Sequence, residues 1–241
     1  MKISVVVPAF NEEKLIARSL PAIQVATAAF SARRWESEVI VCDNNSTDRT
    51  AEIARAAGAT VVFEPVNQIS RARNRGASAA AGDWLIFVDA DSFPSRELFT
   101  EVAGVIEQGN CVGGGAVVAM DPAHGWTAAL ARSWNVLSRL KRWAAGSFVF
   151  CESTVFRQLG GFSQEWYAAE ELEFSQRLNG FARSRGKKVV ILSRHPLLTS
   201  ARKAHLYTLR EMLWLLIETV CRRGENLKRR SRCAVWYDGR R

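Results

Sequence analysis

The sequence is short of the residues that staple small extracellular domains or build zinc modules. Its five cysteines, at 42, 111, 151, 221 and 233, are odd in number and never spaced C-x-x-C. That argues against a disulfide framework and a structural zinc site, and a reducing compartment is expected. Long apolar runs are also missing. The longest helical one, Leu206 to Cys221, carries Arg210, Glu211 and Glu218, and is too short and too charged to span a bilayer. The apolar residues 3 to 7 stop at Pro8 and run into Asn11, Glu12 and Glu13, so a cytoplasmic protein without a secretory leader is expected. No internal repeat, low-complexity tract or linker divides the 241 residues. With 48% hydrophobic and 24% charged residues, the composition is that of one globular α/β domain.

Acidic residues are scarce in one place. From Ala201 onward there are eleven Lys and Arg against four Asp and Glu, which accounts for most of the net charge of +9. This basic tail follows a helical pattern with apolar residues at 206, 209, 213, 216, 217 and 220. An amphipathic helix with a basic tail suits an anionic membrane surface, and hence a peripheral protein on the inner face of the membrane. A core-packing helix with a solvated tail fits the same pattern. Nucleic acid is not expected as a partner, because no recognised binding module accompanies the charge.

Strands and helices alternate through the first half. The continuous β-branched run at 3–7 reads as a strand buried on both faces, and 38–42, 60–63 and 84–88 read as further strands. Helical patterns lie between them: from Glu12, capped by Asn11; over 48–57, capped by Ser46 or Thr47; and over 70–81. Later strands are expected at 113–120, 148–151 and 188–192, with His195 and Pro196 as loop punctuation. Helices are expected to carry Trp126, Trp134 and Trp143 and to span 168–178. Repeated strand–helix units imply a doubly wound, mostly parallel sheet, whose ligands bind beyond the carboxyl ends of the strands.

Three of those strand ends are polar: Pro8 to Glu12, Asp43 to Asp48, and Asp89-Ala90-Asp91. The last is the sharpest chemical signal. Two neighbouring carboxylates repel each other unless a cation lies beside them, and oxygen-only ligands favour Mg²⁺ or Mn²⁺, which share their sphere with substrate phosphates. The competing reading is that the two acids cap the helix that follows. Convergence of three polar ends on one sheet edge favours the metal–phosphate reading.

Four segments carry a family likeness: VVVPAFNEE (5–13), VCDNNSTDRTAEIA (41–54), RARNRGASAAAGDWLIFVDAD (71–91) and GGFSQEWYAAEELEFSQRL (160–178). In this order and spacing the chain resembles the family 2 glycosyltransferases, of the GT-A fold and the nucleotide-diphospho-sugar transferase superfamily. The resemblance implies a GT-A domain over residues 1–205, with a nucleotide-sugar half (1–91) and an acceptor and catalytic half (92–205). Residues 206–241 would form the helix and tail. It implies metal-dependent, inverting transfer from a UDP- or GDP-sugar to a hydroxyl acceptor, saccharide or lipid-linked, as in cell-envelope polysaccharide or glycolipid synthesis.

The resemblance also distributes roles. Pro8, Ala9, Asn11 and Glu12 would lie under the nucleoside, and Asp43 would accept the N–H groups of the base. Arg71 and Arg73 would face the diphosphate and Asp89 the ribose, with Asn74 and Ala90 also in the substrate site. Asp91 would hold the Mg²⁺ or Mn²⁺ ion, with Asp89 beside it and His205 as a third ligand. Ser200 and Arg202 would join the site after the last strand. An inverting transfer needs a base for the acceptor hydroxyl. Glu171 falls on that position of the family motif, flanked by Glu170 and Glu173. A helix N-terminus decorated with acids is the structural alternative for these three. The alternatives for the whole chain are an inactive GT-A nucleotide-binding module and a sugar-nucleotide pyrophosphorylase. The latter lacks support because no glycine-rich loop occurs near the N-terminus.

Overall fold

The computed structural model describes residues 1–121, 125–202, 225–233 and 237. The amphipathic stretch expected over 206–221, with His124 and His205, lies outside them, as does the side chain of Trp126. In chain order the elements are β1 (Lys2–Ala9), α1 (Glu13–Ala26), α2 (Ala28–Ser31), β2 (Glu36–Asp43), α3 (Thr50–Ala56), β3 (Thr60–Phe63), α4 (Ile69–Ala79), β4 (Trp84–Val88), β5 (Ser92–Phe93) and α5 (Arg96–Glu107). There follow β6 (Cys111–Asp121), α6 (Gly125–Lys141), β7 (Phe148–Glu152), α7 (Ser153–Gln158), α8 (Glu170–Ser184) and β8 (Lys188–Ser200), then two 3-10 turns at Glu225–Lys228 and Arg230–Arg232.

The eight strands form one sheet in the order β3-β2-β1-β4-β7-β6-β8-β5. Its first half is parallel throughout, while β7 runs antiparallel to both β4 and β6. The order reverses between β1 and β4, which is where a doubly wound sheet opens its ligand crevice. Strand alternation explains the uninterrupted apolar runs. Val5, Val7, Ile86 and Val88 pack on one face with α1 and α5; Val6, Leu85 and Phe87 pack on the other with α4 and α8. Gly76 lets α4 lie close on β1: a Cβ there would sit 2.4 Å from Val6 Cγ1. Overpacking of that kind costs about 1–3 kcal/mol. Cys42, Cys111 and Cys151 are buried, and burial pushes the Cys42 thiol up to about 12.

Several local expectations are corrected. Asn11 does not cap α1: in a left-handed conformation (φ 51°) it accepts from the Thr47 N–H at 2.8 Å and donates its own N–H to Ser46 Oγ at 3.0 Å. Asp48, not Ser46 or Thr47, serves the start of α3 by accepting from the Thr50 N–H at 2.9 Å. The cap of α5 is Ser95, whose Oγ accepts from the Leu98 N–H at 3.1 Å. Neither Asp89 nor Asp91 is therefore a helix cap. The last strand does not stop at residue 192. It absorbs Ser193 to Pro196 as a bulge, between Leu192 paired with Ala116 and Leu197 paired with Val118, a position where a strand tolerates proline.

Candidate active site

The parallel half brings the ends of β1, β2 and β4 to one edge, with Ala9 in register with Asp43. The loops behind these ends are laced together. The Asn44 N–H donates to Ala9 O at 2.8 Å. Its side chain donates to Val66 O at 2.6 Å and accepts from the Gln68 N–H at 2.9 Å, fixing the approach to α4. The Glu12 N–H donates to Thr50 Oγ1 at 2.8 Å. In front of this scaffold lies a cleft walled by Pro8 to Phe10, Glu12, Asn44, Asn67, Ile69, Asp89 to Asp91 and Tyr237. It adjoins a second recess formed by Arg73, Gly146, Ser147 and Tyr167 to Glu171, and the two share Ile69 and Asp89. The D-x-D strand end and the head of α8 thus face the same space.

Arg73 joins them. It is 1% exposed and donates to Asp89 Oδ1 at 3.0 Å, to Gly146 O at 2.6 Å and to Glu170 Oε1. Its guanidinium also lies 5.3 Å from the Phe162 ring centroid. Burial works against its charge, but Asp89, Glu170 and Glu171 together outweigh burial and hold it ionised. One guanidinium thus faces three acidic side chains. Glu170, 2% exposed, answers by keeping its proton: burial first, then the charge of Glu171, push it up to about 8 against the opposing pull of Arg73. Glu171 is less buried, and its carboxylate lies against Gly146, where a Cβ would come within 3.2 Å of its Cδ. Ala169, just before α8, adopts a left-handed backbone (φ 62°), strain of the kind that persists where the surroundings over-determine it.

The end of β8 reaches the same place. The Ser200 N–H donates to Asp91 O at 3.0 Å. Arg202 Nη2 donates to Glu12 Oε1 at 2.7 Å and stands 3.9 Å from Asp91 Oδ2. Burial disfavours the Arg202 charge, and Glu12 and Asp91 more than restore it. Asp91 and Asp89 supply hard oxygen donors at the mouth of the cleft. Mg²⁺ is commonly held by one or two carboxylates, with phosphates and water completing its sphere. The donor set fits such an ion arriving with a phosphorylated ligand. Among the described residues no cluster of three or more His, Cys, Asp or Glu side chains forms a metal cage.

Other expected site residues have different employment. Arg73 was expected to face a diphosphate and instead faces buried carboxylates. Arg71 donates Nε to Gln68 Oε1 at 3.1 Å, and Gln68 in turn donates to Gln164 O and Trp166 O. Asn74 clamps the Gly161–Phe162 turn, donating to Phe162 O at 2.8 Å and accepting from its N–H at 2.9 Å. Asp43 accepts from the Ser46 N–H at 3.0 Å within its own loop. Glu173 turns from the cleft to a two-point pair with Arg177, at 2.5 and 2.6 Å. Asn67, Gly146, Tyr167 and Tyr237 were missed. The small-residue run Ala144-Ala145-Gly146-Ser147 signalled a close approach before β7; a lone tyrosine in a basic tail signalled nothing.

A mixed sheet with a Rossmann-like parallel half, a crevice at the β1–β4 reversal and a D-x-D strand end defines the GT-A class of fold. The pattern of glycosyl transferase family 2 matches residues 4–159, and the chain belongs to that family. An uncharacterized glycosyltransferase of Rickettsia typhi is 34% identical over 109 residues, which are 45% of this chain and 34% of the relative. The poly(ribitol-phosphate) beta-N-acetylglucosaminyltransferase TarS of Staphylococcus aureus is 30% identical over 115 residues, 45% of this chain and 19% of TarS. The matches thus span about a third or less of these relatives' own length. In structure, a TarS fragment superposes with a TM-score of 0.67 at 22% identity, covering 84% of this chain and 61% of the fragment. The mannosyltransferase PcManGT of Pyrobaculum calidifontis superposes at 0.64 with 19% identity, covering 81% and 56% respectively.

Proposed function

We propose that the protein is a glycosyltransferase that moves a sugar, with inversion, from a UDP- or GDP-sugar to an acceptor hydroxyl, using Mg²⁺ or Mn²⁺. The observation that carries this reading is the adjoining of two acidic sites, Asp89 and Asp91 in one cleft and Glu170 and Glu171 in the recess that shares Ile69 and Asp89 with it. Proteins of the same fold supply the donor chemistry: TarS has been solved with UDP-GlcNAc, and PcManGT with GDP-Man and Mn²⁺.

The placement of the residues supports the following roles. Pro8 and Ala9 form the floor under the nucleoside. Asp91 holds the cation, with His205 a further candidate from outside the described residues, and Asp89 is set on the ribose side by Arg73. The bound cation would offset charge on the departing nucleoside diphosphate. Glu171 is the base: its carboxylate takes the proton of the acceptor hydroxyl as that oxygen bonds to the anomeric carbon and the diphosphate oxygen leaves from the opposite side. Glu170 keeps its proton, which relieves the repulsion that two adjacent carboxylates would otherwise impose and leaves Glu171 charged for the task.

The acceptor side favours a lipid surface. No acidic residue occurs between Asp121 and Glu152. On α6 Val136 and Leu140 are 58% and 76% exposed, among the exposed basic residues Arg132, Arg139, Lys141 and Arg142. A segment with exposed apolar and basic residues and no acids of its own matches an anionic bilayer and a lipid-linked or membrane-proximal acceptor. No helix among the described residues is long and apolar enough to cross a membrane.

Calorimetric titration with UDP and GDP, with Mn²⁺ and again with chelator, tests the donor site. Metal-dependent binding of either nucleotide is expected, and no affinity for any nucleoside diphosphate would end the reading. Binding without nucleotide release from a panel of sugar donors would point to an inactive module. Sedimentation with phosphatidylglycerol vesicles, but not with phosphatidylcholine vesicles, is expected of the membrane surface.

A further inference from the structure

Tyr237 comes from the far end of the chain to a cleft built mostly by the first ninety residues, where it stands with Asp89 and Asp91. Its hydroxyl donates to Tyr167 O at 2.9 Å and accepts from the Ile69 N–H at 3.2 Å. Ile69 opens α4, the helix that carries Arg73 one turn later. Tyr167 lies two residues before the left-handed Ala169 that leads into α8. One hydroxyl therefore ties together the two helices whose side chains meet around Asp89. The neighbourhood is built to hold it. Its ring packs edge-on to Tyr167, with centroids 5.7 Å apart, and the Tyr167 N–H donates to Leu227 O at 2.8 Å. Leu227 and Cys233 pack with Ala168 in a small apolar cluster that Tyr237 joins.

We propose that Tyr237 is a positioning and nucleotide-binding residue of the donor site. It walls the nucleoside diphosphate cleft with its ring and sets the approach of α8 with its hydroxyl. This rests on the reading of the cleft as the donor site. Both hydrogen-bonding functions of the hydroxyl are spent on backbone groups, so what Tyr237 offers a ligand is carbon surface. Burial also holds the phenol well above its usual titration range, so it neither takes nor gives a proton. An aromatic wall suits the flat base or the ribose of a nucleotide, since every base has a face to stack.

The test compares the full-length wild type with Tyr237→Phe and Tyr237→Ala. UDP and GDP affinity are measured in Mn²⁺, donor KM and kcat under turnover, and thermal unfolding alongside. Tyr237→Ala, which removes wall and tie, is expected to weaken nucleotide binding by about tenfold, the scale of one lost aromatic stack. Tyr237→Phe keeps the wall, so affinity is expected near wild type while kcat falls several-fold as the α8 approach loosens. That split between affinity and kcat supports the assignment. An alanine variant that is folded and binds nucleotide like the wild type would overturn it. So would losses that merely follow the melting temperature in both variants. A wild-type protein that binds neither nucleotide would reject the donor-site reading itself, and this assignment with it.

Discussion

The β4 end and the head of α8 bring carboxylates to adjoining recesses that share Asp89, yet chain geometry treats the two sets differently. Just past β4 the chain turns, closed by the Ser92 N–H donating to Asp89 O at 3.0 Å, and Asp89 and Asp91 both line the cleft. On a helix, successive residues point about 100° apart, so three closely spaced glutamates meet three environments. Glu170 is buried against Arg73, Glu171 lies beside Gly146, and Glu173 pairs with Arg177 away from the cleft. A similar density of acidic residues in the sequence therefore means two comparable groups at one wall and three unlike groups at the other.

Substitutions can break this contrast, the largest effect coming from the link between the walls. Arg73→Met strips the cation from Asp89 and leaves Gly146 O and the Glu170 carboxyl without their donor, and each buried polar group left without a partner costs about 1–3 kcal/mol. Urea unfolding is expected to show a loss of that size. If stability stayed at the wild-type level, the shared cation would not be what joins β4 to α8. Asp91→Asn comes next. Metal-dependent nucleotide affinity is expected to vanish and transfer to fall by roughly 100-fold or more, measured by calorimetry and donor turnover. An Asp91→Asn protein still responding to Mn²⁺ would move the cation elsewhere.

A subtler distinction concerns protons. Because Glu170 is raised from 4.5 to about 8, the folded protein holds a proton there that the unfolded chain releases. Its contribution to stability is complete below the ordinary carboxyl range and is lost as pH rises through about 8. Glu170→Gln is expected to flatten the pH dependence of urea midpoints across that window, and an unchanged slope would contradict the protonated state. The smallest effect belongs to Glu173→Ala. The half-exposed pair with Arg177 is worth about 1 kcal/mol or less, and turnover is expected to stay near wild type. A large loss of turnover would place Glu173 in the chemistry after all.

The same contrast sets how much could be read beforehand. The β1, β2 and β4 ends were legible because β-branched runs broken by polar clusters encode both the strand and the edge it opens on. Whether the D-x-D was a cap could not be read, since Ser95 offered an equally good cap four residues later and only the backbone chooses. Arg73 was assigned to phosphate because a sequence shows a charge but not its partner, and acids from the β4 end and from α8 had claimed it. His195 and Pro196 suggested a strand end where a bulge keeps the pairing alive. Tyr237 left no periodic trace, because its role depends on where the chain returns.

The central claim is a division of labour, with β4 for the donor and α8 for the chemistry. Glu171→Gln tests it most directly, with donor affinity in Mn²⁺ and single-turnover transfer measured on one preparation. Nucleotide affinity is expected to match wild type while transfer falls by about 100-fold to 10,000-fold, the usual contribution of a positioned general base. Transfer at the wild-type rate, or loss of nucleotide affinity in step with transfer, would contradict that division.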